Sequence, residues 1–305
     1  LGLVGSEMCI RDRIFAVDEI DLDRLDAAWG KVQKRHGMMR ASVEEDGTQS
    51  IAPSSKIGHI ERAECANSSE AKQQLEEIKR TVFALAKPPL HRVVSISWHE
   101  ESGKQTRLVF CFDYTVLDAL SVMTVLAELA ELYENPGADL PGIGLTFRDF
   151  VVGHRRDGRE VEEAEGYWRS RLPELPPAPQ LPLAADPSTV GEGRFERLWR
   201  TVAEPEWSAV KEKARLHGIT PSAVLLACYA RVLSAWSGGG GVTLNLTIFD
   251  RPEVHPDIDK VVGDFTTLLP VACRPSADAS VEAQMRGVQN LSLIHISEPT
   301  RPRLI

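Results

Sequence analysis

Residues 107–121 read RLVFCFDYTVLDALS, and within them the sequence passes from strand to loop to helix. The run RLVFCF at 107–112 is rich in β-branched and aromatic side chains, as is HRVVSISW at 91–98, and Gly103-Lys104 lies between the two. This combination predicts two strands of one sheet, the second ending at Asp113. From about 119 to 134 the spacing turns helical, with Leu120, Met123, Leu126, Leu129 and Tyr133 on one stripe and Asn135-Pro136-Gly137 stopping it. The intervening loop carries Asp113 and Asp118, five residues apart at a rigid edge from which side chains project. Local chemistry alone gives both acids ordinary roles: Asp118 N-caps the helix that begins at Ala119, and Asp113 caps the turn or pairs with a nearby Arg.

Moving outward, Leu22, Leu25, Trp29 and Val32 recur at helical steps behind Asp21, a good N-cap, so residues 22–35 form an amphipathic helix. The segment PELPPAPQLPLAADP at 173–187 holds six prolines, too many for a helix interior or a central strand, and reads as an extended linker between two lobes. Beyond it, Thr220-Pro221-Ser222 opens a helix that runs through Trp236, is mostly core-facing, and ends at Gly238. VTLNLTIF at 242–249 then reads as a buried strand. Strand and helix alternate in both lobes, which predicts a mixed α/β architecture.

With 305 residues, 43% apolar and 26% charged, the chain has room for two cores. A net charge of −9 with no Lys/Arg cluster argues against nucleic-acid binding. No apolar run approaches the roughly 20 residues that span a bilayer, and no basic start leads into an apolar stretch, so a soluble protein is expected. The five cysteines are scattered without a CxxC pair, which fits a reducing cytoplasm. The eight histidines form no HExxH or spaced Cys/His set, so no metal is expected. The glycine run at 238–241 lacks the Lys-Ser/Thr of a phosphate loop and implies no ATP.

At DYTVLDALS the chain resembles the heterocyclization domains of non-ribosomal peptide synthetases, members of the condensation-domain superfamily with the signature DxxxxDxxS. Ordinary condensation domains carry HHxxxDG there. In that alignment Asp113 stands at the first His, Tyr114 at the second, active-site His, and Asp118 at the Asp, with Ser121 closing the motif. Tyr, with an unperturbed pKa of about 10, cannot replace imidazole as a base near neutrality. RHGMMRA (35–41), TFRDFV (146–151), YWRSRLPELPPAPQLPL (167–183), TPSAVLLACYARVLSAWS (220–237) and LNLTIFDR (244–251) resemble the same family in the same order. The resemblance implies a two-lobed chloramphenicol-acetyltransferase-like fold, with an N-terminal lobe over 14–172, a linker over 173–190 and an incomplete C-terminal lobe over 191–290. The flanks LGLVGSEMCIRDR (1–13) and LSLIHISEPTRPRLI (291–305) resemble translated sequencing-adapter strings, so the protein proper is read as 14–290, cut at both ends.

VVGDFTTLLPV at 261–271 matches a second motif of the family, in which Gly263 permits a tight turn or close backbone approach. The resemblance makes Thr266, with Asp264 beside it, the candidate catalytic position. In the family the Thr works with an Asp some thirty residues on, in a QLWxDLDH-like motif that has no counterpart here. Asp113, Asp118, Ser121 and Tyr114 then hold the site, and Asn245, Thr247 and Arg251 are candidates for lining its cleft. The implied reaction condenses a carrier-bound acyl thioester with a carrier-bound Cys, Ser or Thr and closes a thiazoline or oxazoline. The implied partners are upstream and downstream peptidyl carrier domains and an adenylation domain. Substrates ride on carrier phosphopantetheine, the domain binds no cofactor of its own, and this fragment is expected to be inactive by itself. Linear condensation or acyl transfer, and non-catalytic carrier docking, are the competing readings.

Overall fold

The computed structural model describes residues 10–17, 19–101, 103–154, 158–190, 198, 200–276 and 278–297. The chain divides into two compact units, one of residues 1–155 with 249–266 and the other of 156–248 with 267–305.

In the first unit, β1 (Ile10–Val17) precedes α1 (Leu22–Arg35), whose start is fixed by Asp21 Oδ1 accepting the backbone N–H groups of Asp23 and Arg24. The RHGMMRA stretch ends that helix. The Arg40 guanidinium donates to the carbonyls of Gln33 and Lys34 in its last turn and to Ala52, and a 3₁₀ turn (Gly37–Arg40) leads into β2 (Ala41–Val43), paired with β3 (Gln49–Ile51). There follow β4 (Glu61–Glu64), α2 (Ser68–Ile78), β5 (His91–Glu100), β6 (Gly103–Asp113), α3 (Ala119–Glu134) and α4 (Phe147–Gly153). Strands β1, β6, β5 and β4 form one sheet in that order, antiparallel at β1–β6 and β6–β5 and parallel at β5–β4.

The sheet has helices on both faces, which explains why RLVFCF is almost continuously apolar. Leu108, Phe110 and Phe112 point to the α1–α3 side with Trp29, Val32, Val122, Val125 and Leu129. Val109 and Cys111 point to the opposite side, with Val94, Ile96, Trp98 and Ile78 of α2. Period-2 alternation thus persists with both faces buried. The strands are longer than predicted, because the hairpin continues to Glu100 and Gly103, the latter at φ +115°.

Helix α3 has the predicted limits but a different inner face. Ser121, Val122, Val125, Leu129 and Leu132 are buried, whereas Met123 is exposed and Leu120, Leu126 and Tyr133 are half-buried. The helix is apolar on too much of its circumference for spacing alone to select the packed side.

The second unit contains α5 (Gly158–Arg171), α6 (Glu204–Leu216), α7 (Pro221–Trp236), β7 (Val242–Phe249) up to Ile248, β8 (Thr266–Cys273) from Thr267 onward and α8 (Val281–Ser297), with β7 and β8 paired. Trp168, Ala230, Val242, Leu269, Val271 and Cys273 form its main core. Strand β7 is not the buried strand the sequence suggests. Only Val242 is buried, and from Leu244 onward half-buried residues alternate with the exposed Asn245, Thr247 and Phe249. The proline-rich segment is largely irregular, as predicted, but falls inside this unit rather than between the two. The carbonyls of Pro176 and Pro177 accept the hydroxyl and the amide of Thr243, which anchors the segment along β7. The backbone of β1 runs across residue 13 and that of α8 across residue 290, the two limits read from the sequence.

Candidate active site

The site is built where the loop between β6 and α3 meets residues 251–266, all within the first unit. Asp118 is the N-cap of α3, its Oδ1 accepting the Ser121 N–H at 2.7 Å. Capping uses only part of this carboxylate. Arg251 Nη2 donates to Oδ1 at 3.0 Å and to Oδ2 at 3.1 Å, and the Phe265 N–H donates to Oδ2 at 3.2 Å. The side chains of Arg251 and Asp118 are only 4% and 0% exposed.

Arg251 reaches further, donating from Nη1 to the Val261 carbonyl at 2.7 Å and from Nη2 to Ser121 Oγ at 3.0 Å. Its guanidinium lies 3.8 Å from the Phe265 ring centroid, a cation–π contact. Burial lowers its pKa and the Asp118 charge opposes that shift, so the guanidinium stays cationic. Arg251 is therefore not a cleft-lining residue. The chain leaves β7 at Phe249, and the Arg251 side chain turns inward toward Asp118.

Asp113, also buried, caps the turn, its Oδ1 accepting the Thr115 N–H at 2.9 Å and the Thr115 hydroxyl. Tyr114 is half-buried against the α1–α3 core. Gly263 is a close-approach glycine, since a Cβ there would overlap the Phe147 ring. Phe147 comes from TFRDFV, which opens α4 with a capping box between Thr146 and Asp149. Phe147 and Phe150 pack on Phe265 at ring-centroid distances of 5.1 and 4.9 Å. The pairing of α4 with 261–266 joins two motifs more than 100 residues apart and leaves no local signal in either of them.

Next to this support, Thr266 is exposed and its N–H donates to Asp264 Oδ1 at 3.0 Å. Burial raises the Asp264 pKa; hydrogen bonds from the Thr266 side chain and backbone oppose the shift, and the Asp118 charge adds to it. A carboxyl held above its ordinary range beside a hydroxyl can keep and return a proton. Asn245 and Thr247 lie on the exposed side of β7 in the second unit. Among the described residues no cluster of His, Cys, Asp or Glu could hold a metal ion.

The arrangement belongs to the condensation-domain fold. The chain matches the crystal structure of the EpoB NRPS cyclization-docking bidomain from Sorangium cellulosum with a TM-score of 0.86 and 31% identity, over 94% of this chain and 59% of that one. The chain belongs to the Condensation domain family, whose model matches residues 7–295. It is 32% identical to phenyloxazoline synthase MbtB of Mycolicibacterium paratuberculosis over 88% of its length, and 30% identical to pyochelin synthetase PchF of Pseudomonas aeruginosa over 92%. It spans 23% and 16% of those two relatives.

Proposed function

We propose that this chain is the heterocyclization domain of a non-ribosomal peptide synthetase, making an amide between two carrier-bound substrates and then closing a thiazoline or oxazoline. The observation that carries the reading is the Thr266–Asp264 pair, at the end of a segment anchored to DYTVLDALS. Tyr114 at the position of the active-site His, and the oxazoline and cyclization named for two of the relatives, support it.

In the first step the amine of carrier-bound Cys, Ser or Thr attacks the upstream thioester carbon. The C–N bond forms, the carrier thiol leaves, and the amine gives up a proton. A thioester is already activated, so holding the two substrates in line supplies much of the rate. In the second step the side-chain S–H or O–H adds across the new amide C=O, and the former carbonyl oxygen, protonated, then leaves as water as the nitrogen gives up its proton and the ring C=N bond forms. That step needs a placed proton donor and acceptor. Asp264 holds and returns the proton, Thr266 relays it, and Asp113 and Asp118 hold the site. Both substrates ride on the phosphopantetheine of neighbouring carrier domains beside an adenylation domain, and the domain needs no cofactor of its own. The setting is cytoplasmic. No single helix among the described residues is long and apolar enough to cross a membrane.

The test is a synthetase containing this domain, supplied with loaded carriers and followed by mass spectrometry. Thr266→Ala should keep amide formation and cut ring closure by about 10²–10⁴-fold, the range of a positioned proton-transfer group. Equal loss of amide and ring would contradict the assignment. Amide that never loses water from the unaltered protein would identify linear condensation, and absence of both products a docking module.

A further inference from the structure

The hydroxyl of Ser121 is fully committed. Its side chain is wholly buried, its O–H donates to the Gly263 carbonyl at 2.9 Å, and Oγ accepts the Gly263 N–H at 3.1 Å and Arg251 Nη2 at 3.0 Å. One donor and two acceptor sites are all a hydroxyl has, so none is left for chemistry. The Gly263 carbonyl accepts a second bond, from the Asp118 N–H at 3.0 Å. The Phe265 N–H goes to Asp118 Oδ2, and the Thr266 N–H to Asp264 Oδ1. Between residues 263 and 266 the backbone is thus pinned to the first turn of α3 at Gly263 and Phe265. One residue further on the chain presents Thr266.

We propose that Ser121 is a positioning residue: by bridging both backbone groups of Gly263, it sets the path of residues 263–266 and so the place and pairing of Thr266 and Asp264. This rests on Thr266 being the reacting position, but its claim about geometry is separable. The bridge is long-range, joining residues 142 apart in sequence. It also requires a hydroxyl, because Ala offers none and Cys only a weak donor and acceptor. The adjoining Gly263, closed against Phe147, leaves the segment no room to shift toward α4.

The experiment is amide hydrogen exchange resolved to single residues on the 305-residue chain, with ¹³C titration of the Asp264 carboxyl. In the unaltered chain the Gly263 amide should be protected by at least about 100-fold over an unstructured glycine. In Ser121→Ala, and in the nearly isosteric Ser121→Cys, Gly263 and Phe265 should lose about tenfold or more of their protection while Val94 and Val109 in the sheet keep theirs. The Asp264 titration should relax toward the ordinary carboxylate range, and Ser121→Thr should restore both signals. An unprotected Gly263 in the unaltered chain overturns the proposal without needing any variant. So does a Ser121→Cys chain in which Gly263 is unchanged, or in which the whole sheet loosens with it. Failure of Thr266→Ala to separate amide from ring would sink the proposed function and leave these signals untouched.

Discussion

A guanidinium 4% exposed against a carboxylate 0% exposed is costly to leave half-made, because removing one partner strands the other charge in the interior. Arg251→Met should lower stability by about 3–5 kcal/mol in urea unfolding, and pairing it with Asp118→Asn should recover part of the loss. Arg251→Lys should not rescue, since one ammonium cannot span Val261, Asp118 and Ser121 together. His91 supplies a second prediction. It is buried against Trp29, its Nε2 has no hydrogen-bond partner, and burial pushes its pKa down to about 4, with a backbone hydrogen bond at Met39 opposing the shift. The folded state holds this imidazole neutral, whereas the unfolded chain protonates it near pH 6.5. Its contribution is therefore complete above about pH 6.5 and declines as pH falls toward 4, by roughly 3 kcal/mol in all. His91→Leu should remove that portion of the acid sensitivity. Unfolding midpoints for the two proteins that fall in parallel between pH 7 and 4.5 would refute this.

At the scale of elements, helix ends were legible because capping is local: Asp21, Asp118 and Thr220 each accept backbone N–H groups from the first turn they were expected to open. Helix faces were less legible. In α7 the small residues Ala223, Ala227, Ala230 and Ser234 are buried, while Leu225, Tyr229, Val232 and Trp236 are 54–65% exposed along one stripe. This corrects the reading of 220–237 as mostly core-facing. A helix apolar on all sides fits burial on both, and an uncovered stripe of this kind drives association. The isolated 305-residue chain should self-associate in light scattering, and Tyr229→Lys with Trp236→Glu should yield monomer with unchanged far-UV circular dichroism. A monomeric unaltered chain would refute the prediction.

At the scale of the whole molecule, the sequence by itself determined the strand–loop–helix unit, the helix limits and the family, because these rest on periodicity, caps and contiguous motifs. It also marked Asp118, Ser121, Asp264 and Thr266 as belonging to two motifs more than 140 residues apart in the chain. Only the tertiary structure decided that Arg251 is the buried counter-ion of Asp118, that Phe147 closes on Gly263, and that the proline-rich segment lies along β7. The same holds for which face of α3 or α7 is packed, and for the order of β1, β6, β5 and β4. The physical reason is range. A cap or a strand period is set by neighbours a few residues away, whereas an ion pair, a glycine's clearance and a sheet's order depend on which distant surfaces the folded chain brings into contact.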